Sequence, residues 1–246
     1  MMRKVSLLSV LTLLWAIAAT SCGSRASQST LAECSVSVLQ DCQQSINPLS
    51  TKIEFSIFKN GDLIFVADTS AFSSAVIEST DGIFSHVGII QRVADTLFVL
   101  EAIPKEGVVK TAMEKFIADA PKDENGRAAI KVKRLSRLPD QTKDSLQFIA
   151  DKAVEKALSF IGTPYDFAFL EGVENIYCSE LVYESFLHRS EHLFSLIPMN
   201  FKDSTGVVSP YWTEYYKKMN LPVPQDWPGT NPNSIFNSAL LRDIAF

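Results

Sequence analysis

The chain has 246 residues, 46% of them hydrophobic, with 23 Lys and Arg against 28 Asp and Glu for a net charge of -5. This is globular composition, long enough for one domain of ordinary size plus a leader, and it excludes a disordered or fibrous chain. No basic patch is present to neutralise phosphates, so a nucleic-acid partner is excluded as well.

The first element is a targeting segment. Arg3 and Lys4 precede the apolar run 5–19, which is short for a span of about 20 residues and is flanked like a secretory signal, so residues 1–21 are read as a signal peptide. The run ends in Ala19-Thr-Ser-Cys-Gly23, which resembles the lipobox of bacterial lipoproteins, where the cysteine becomes the acylated N-terminus. Ala19 stands where leucine is usual; the other reading leaves Cys22 an ordinary cysteine beside a plain cleavage site. Lipid on Cys22 would tether the protein to a bacterial envelope membrane, periplasm-facing, without any spanning helix. Residues 22–50 are then the lipidated tether, flexible because its Ser-rich start has few apolar side chains to bury, and residues 51–246 the folded domain.

The cysteines add one constraint. Besides Cys22 there are Cys34, Cys42 and Cys178. Were 34–42 one continuous helix, the two Cα atoms would lie ~12 Å apart, too far for a disulfide, so a bridge there needs a turn; paired and unpaired readings both stand. Cys178 has no partner within a hundred residues and is expected to be free, which in an exported protein calls for a reason.

Along the domain, residues 53–58 and 62–67 read as strands about the turn Lys59-Asn-Gly-Asp62, with Gly61 and Asp62 as turn residues. A Ser/Thr-rich connection with one short helix leads to strands at 86–90 and 97–103, consecutive in an antiparallel sheet. Thr111-Ala-Met-Glu114 has the form of a capping box and predicts a helix over 112–118, closed by Pro121. Residues 129–135 alternate apolar and charged side chains, the pattern of a half-buried strand. Asp140 is positioned to cap a helix on which Leu146, Ile149, Ala153, Ala157 and Ile161 recur until Gly162 and Pro164 end it. A further helix starts at Cys178, with Leu181, Val182 and Phe186 on the core face and Ser179, Glu180 and Glu184 on another. The Pro-rich tail 224–233 is expected to lie across the surface.

Of three histidines, His188 and His192 fall in a charged stretch that reads as a solvated helix end, and no further ligands accompany them, so no metal site is expected. His86 opens an apolar run, where a buried ring needs a partner. From its placement alone, a cysteine in the first turn of a helix reads first as a small core residue; a nucleophile is the other reading, since the oriented amides there favour a thiolate.

Four segments bear on that choice: Gly61-Asp-Leu-Ile-Phe65, Ser85-His-Val-Gly-Ile89, Gly162-Thr-Pro-Tyr165 and Tyr177-Cys-Ser-Glu-Leu-Val182. Together they resemble the NlpC/P60 superfamily of papain-like cysteine peptidases, in which a GDL turn, an SHVGI strand carrying the base, a GTPY segment and a D-C-S-G-L-V nucleophile helix recur. Here the GDL and His segments come before the Cys segment, the reverse of the ordinary order, so the chain resembles the circularly permuted amidase branch of the YiiX/YaeF type. The resemblance spans residues 59–237. It implies an α+β, circularly permuted papain-like fold with an antiparallel sheet packed against the nucleophile helix, and no cofactor. It also implies Cys178 as nucleophile, His86 as base, and a third residue from the strand after the histidine. Glu101 is the one charge in that strand and takes the role; an exposed acid at a strand end is the alternative. The Cys178 amide and Tyr165 are expected to face the oxyanion, although Tyr165 also fits an aromatic plug beside the helix. Asp166 could touch substrate or cap a helix. Glu180 replaces the glycine of the ordinary branch, so that branch's substrate contacts do not transfer. The expected activity is that of a cysteine amidase or peptidase on cell-wall peptide amides. A lipid-directed acyltransferase or hydrolase, or an inactive binding module, are the alternatives.

Overall fold

The computed structural model describes residues 55–80, 82–140 and 145–246. The signal peptide, Cys22, the tether, Cys34 and Cys42 all lie outside the described residues.

An antiparallel sheet of six strands organises the domain. Its strands are β1 (Leu63–Val66), β2 (His86–Val93), β3 (Thr96–Ile103), β4 (Gly107–Ala112), β5 (Ile130–Leu135) and β6 (Leu241–Ile244), in the spatial order β6-β5-β1-β2-β3-β4. The helices are α1 (Ala71–Thr80), α2 (Met113–Asp119), α3 (Leu146–Leu158), α4 (Cys178–Ser185), α5 (Pro210–Lys218) and α6 (Pro232–Phe236). Alternation along each strand divides the apolar side chains between two cores, as a period of two requires. Leu63, Phe65, Val87, Ile89, Leu100 and Ala102 face the larger core with α3, α4 and Trp212 of α5. Ile64, Val66, Ile90 and Val99 face a smaller one closed by Met113 and Phe116 of α2. The α+β architecture with α4 packed on the sheet is the one expected.

Several boundaries differ. Residues 55–57, expected to continue a strand, form a 3-10 turn. Two arginines take the carbonyls that a neighbouring strand would otherwise bind: Arg92 donates to Phe55 O at 2.7 Å and to Phe58 O at 2.8 Å, and Arg134 donates to Ile57 O at 2.7 Å. β4 was not foreseen. Thr111 lies within it, paired with Val99, so it is no helix cap; α2 begins at Met113 after Ala112, which offers no capping side chain. The cap of α3 is Ser145, whose Oγ accepts from Phe148 N at 3.3 Å, while Asp140 pairs with Arg189 at 3.1 Å. His188 and His192 stand on a two-residue ladder, Leu187–His188 against Glu191–His192, not at a helix end. His192 stacks on Tyr183 with ring centroids 3.9 Å apart.

The largest departure is the tail. Thr230, Asn231 and Asn233 are buried, and Pro232–Phe236 is a helix capped by Asn231 Oδ1, which accepts from Ser234 N at 2.8 Å. The prolines do not prevent this, because Pro232 occupies the first helical position, where its missing N–H costs nothing.

Candidate active site

The GDL turn anchors the sheet. Asp62 is fully buried and receives a two-pronged ion pair from Arg134, Nε to Oδ1 at 2.6 Å and Nη2 to Oδ2 at 2.7 Å, with Lys59 N donating to Oδ2 at 2.8 Å. A buried carboxylate is tolerable when each oxygen is paired in this way. The turn thus fixes the start of β1, and β1 fixes β2 beside it, with Val66 opposite His86.

His86 opens β2, and Glu101 lies on β3. A side chain at Gly88 would put its Cβ 2.4 Å from Val99 Cγ1 and 3.5 Å from Glu101 Cβ. The glycine therefore lets β2 approach β3 closely at this point, and His86 Nε2 meets Glu101 Oε2 at 2.7 Å. Glu101 is 5% exposed, so it is not an acid on a solvent face. With Nε2 engaged by Glu101, Nδ1 is the ring nitrogen left to serve Cys178, which acts on the imidazole together with Glu101. Burial alone would push the imidazole pKa down. Hydrogen bonding and charge from Cys178 and Glu101 outweigh it, and the pKa rises to about 10. The ring is held as an imidazolium between two acidic groups.

Cys178 is the first residue of α4 and is buried, with its thiol free. Tyr165 lies beside it, because the GTPY segment runs alongside the residues that lead into α4. Ile176 N donates to Pro164 O at 2.9 Å and Asp166 N to Ile176 O at 3.3 Å. Burial first, and the charge of Cys178 second, push the Tyr165 hydroxyl well above its usual pKa. It therefore remains a proton donor. Cys178, His86, Glu101 and Tyr165 line one open cleft of about 430 Å³. Asp166 does not reach that cleft; it caps the following turn, accepting from Ala168 N and Leu170 N at 2.7 Å each.

Three groups escaped the sequence reading. The first is the tail. Asn233 makes four hydrogen bonds: Oδ1 accepts from Ile83 N (3.2 Å) and Phe84 N (3.0 Å), and Nδ2 donates to Thr80 Oγ1 (2.7 Å) and Phe84 O (2.8 Å). Only glycine fits beneath it, since a Cβ at Gly82 would lie 2.1 Å from Asn233 Cγ. Three residues earlier, Thr230 N donates to Tyr177 Oη at 3.0 Å and Thr230 Oγ1 to Ser179 Oγ at 3.1 Å. One short strap thus binds the chain just before His86 and the residues on both sides of Cys178.

The second is Glu180, expected on an outer face but 4% exposed. Its carboxylate accepts from Gly172 N (3.2 Å) and Tyr177 N (3.4 Å), so the loop before Cys178 closes over it. Burial raises its pKa, the two amides offset part of the rise, Asp166 and Glu184 add to it, and the value is about 8. The third is Ser85, buried with a hydroxyl that has no hydrogen-bond partner among the described residues. Serine beside the histidine in SHVGI was the available signal for it.

The model described as "Permuted papain-like amidase enzyme, YaeF/YiiX, C92 family" matches residues 58–245. The chain belongs to this family. Among curated proteins, YiiX of Escherichia coli (strain K12), itself described as uncharacterized, is 28% identical over 127 residues, 51% of this chain and 56% of YiiX. The match thus spans about half the length of that relative. Among solved structures, the crystal structure of YiiX from Escherichia coli O157:H7 aligns with a TM-score of 0.61 at 24% identity, covering 76% of this chain and 96% of that one. The likeness shows a shared fold, and the permuted papain-like architecture follows from family and fold together. That YiiX structure is described as a metalloprotein. In the present chain no group of three or more His, Cys, Asp or Glu side chains among the described residues is arranged to hold a metal ion. None of the described helices is long and apolar enough to cross a membrane.

Proposed function

We propose that this C92-family chain is a cysteine hydrolase that cleaves amides of cell-envelope peptides through Cys178, His86 and Glu101. The observation that carries the reading is the meeting of these three residues at one cleft, with the His86–Glu101 contact at 2.7 Å holding the ring toward the thiol. The Cys178 thiolate attacks the acyl carbonyl carbon and forms a C–S bond, while the Cys178 amide and the Tyr165 hydroxyl receive the developing oxyanion. The C–N bond then breaks, and the imidazolium proton of His86 goes to the departing amine. Water adds to the thioester with its proton drawn to His86, which releases the carboxylic acid and restores the thiolate–imidazolium pair. Glu101 keeps the imidazole in the required orientation.

The charged side chains Glu106, Lys115 and Asp119 in the cleft wall, beside apolar ones such as Ile103, Pro104 and Phe116, support the peptide-amide reading. Lipidation at Cys22 and anchoring to the envelope belong to the same proposal, since they would hold the domain beside such a substrate. The test is thiol labelling of the purified protein near neutral pH. Cys178 is expected to react faster than free cysteine, and Cys178→Ala to abolish both labelling and hydrolysis of muropeptides with an unchanged circular dichroism spectrum. A reaction rate equal to that of free cysteine would sink the enzyme reading.

A further inference from the structure

A second pocket, of about 320 Å³, opens between the turn 59–62, β5, β6 and the start of α3. It shares no wall residue with the cleft at Cys178. Its cations come from three separate elements: Lys59 from the turn, Arg134 from β5 and Arg242 from β6. Among the described residues no carboxylate stands with them in the wall.

Strand pairing forces two of these charges together. In the register of β5 and β6, Arg242 lies directly opposite Arg134, and like charges in that position repel. Arg134 is neutralised, because its guanidinium engages both oxygens of Asp62. Arg242 is not, since the adjacent carboxylate, Asp243, pairs with Lys133 at 3.5 Å instead. Neither the Arg242 guanidinium nor the Lys59 ammonium has an acceptor or an ion-pair partner among the described residues. The uncharged donors of the wall are already used: Gln147 Nε2 donates to Asn60 O at 3.2 Å and to Asp151 Oδ1 at 3.0 Å, and Ser136 Oγ to Leu240 O at 3.0 Å. Leu146 and Gln147 open α3, so the positive end of a 13-residue helix adds to the same potential.

A guanidinium fork and a point-like ammonium are the donors suited to phosphate. A carboxylate would bring one negative charge to these two cations, whereas a phosphomonoester brings nearly two near neutral pH. The pocket is also larger than a bare phosphate ion needs, and Leu135, Leu146 and Ala150 give it an apolar wall for a carbon substituent.

We propose that this pocket binds a phosphomonoester, with Arg242 and Lys59 on the phosphate oxygens and the apolar wall against its organic part. A soluble glycerol or sugar phosphate and the headgroup of phosphatidic acid share that chemistry.

The test is calorimetric titration of the full chain with glycerol 3-phosphate, glycerate and inorganic phosphate, together with sedimentation on phosphatidylcholine vesicles with and without phosphatidic acid. The phosphomonoester is expected to bind at one saturable site, and glycerate at least about tenfold more weakly. Arg242→Gln and Lys59→Gln should each weaken binding about tenfold or more, the scale of a lost charge-assisted hydrogen bond. Both side chains are exposed, so the variants should keep the wild-type circular dichroism spectrum; Lys218→Gln, an exposed cation on α5, should change nothing. Saturable binding of glycerol 3-phosphate identifies a soluble source, and sedimentation confined to vesicles with phosphatidic acid and lost in the same two variants identifies the lipid. Equal affinity for glycerate, binding of inorganic phosphate but of neither ester, an effect of Lys218→Gln as large as that of Arg242→Gln, or no binding in any arm would overturn the assignment. The glycerate comparison needs only the wild type, and none of these outcomes depends on the chemistry at Cys178.

Discussion

Replacing Glu101 with glutamine removes a charge while nearly preserving shape, and its effect can be worked from the geometry. A rise in the His86 pKa from 6.5 to about 10 corresponds to ~5 kcal/mol of preference for the charged ring. Two partners, Cys178 and Glu101, supply that preference against the cost of burial. Glu101 contributes to that preference through both its hydrogen bond and its charge, so Glu101→Gln should lower the His86 pKa below about 10. With three histidines in the chain, the His86 ring resonance can be assigned and titrated by NMR. The wild type should titrate near 10 and the variant measurably lower.

The linkage has a definite sign. Because the folded pKa lies above the unfolded one, the contribution to stability is complete below about pH 6.5 and is lost as pH rises toward 10. In Glu101→Gln the loss should end earlier and be smaller, which denaturant unfolding at pH 6 and pH 9.5 measures. Identical titration midpoints in the two proteins would refute the claim that Glu101 holds the imidazolium.

Tyr165→Phe should lower kcat about 100-fold with little change in KM, as expected for a donor used mainly in the transition state; steady-state kinetics on any accepted ester checks it, and an unaltered kcat removes Tyr165 from the oxyanion site. Asn233→Ala breaks four hydrogen bonds and leaves the Ile83 and Phe84 amides unpaired, so a loss of about 2–4 kcal/mol is expected. It should appear as a fall in melting temperature of roughly 5–15 °C; a shift under about 2 °C would contradict the strap. Glu180, with its pKa raised to about 8, holds a proton in the folded state that the unfolded chain releases above about pH 4.5, so stability should fall as pH rises from 4.5 to 8. Glu180→Gln should flatten that slope in urea titrations; an equal slope in both proteins would mean that the carboxyl is not buried as a neutral acid.

Much of the core sheet was legible in the chain because β1, β2, β3 and β5 are short apolar or alternating runs bounded by turn residues, and antiparallel neighbours in sequence are neighbours in space. The motif set pointed to Cys178, His86, Glu101 and Tyr165, and these four residues line one cleft. β4 was hidden because Gly107–Ala112 abuts a false capping box, and local signals cannot tell a strand end from a helix cap when the partner strand is out of view. The bidentate pairing of Arg134 with Asp62 joins residues 72 positions apart and leaves no local trace.

What the sequence by itself determined is the parts: Cys178 at a helix start, His86 at a strand start, Glu101 on the next strand, and the motif order that marks a permuted chain. What only the tertiary structure decided is how those parts are covered. Thr230, Asn233 and Glu180 are polar residues that composition assigns to water, yet each is buried, because each finds backbone or side-chain partners far away or across a loop. Burial of a polar group is tolerated only when its hydrogen bonds are satisfied. Those partners come from distant segments that folding brings together, so the strap across the site could not be read from any stretch of the chain alone.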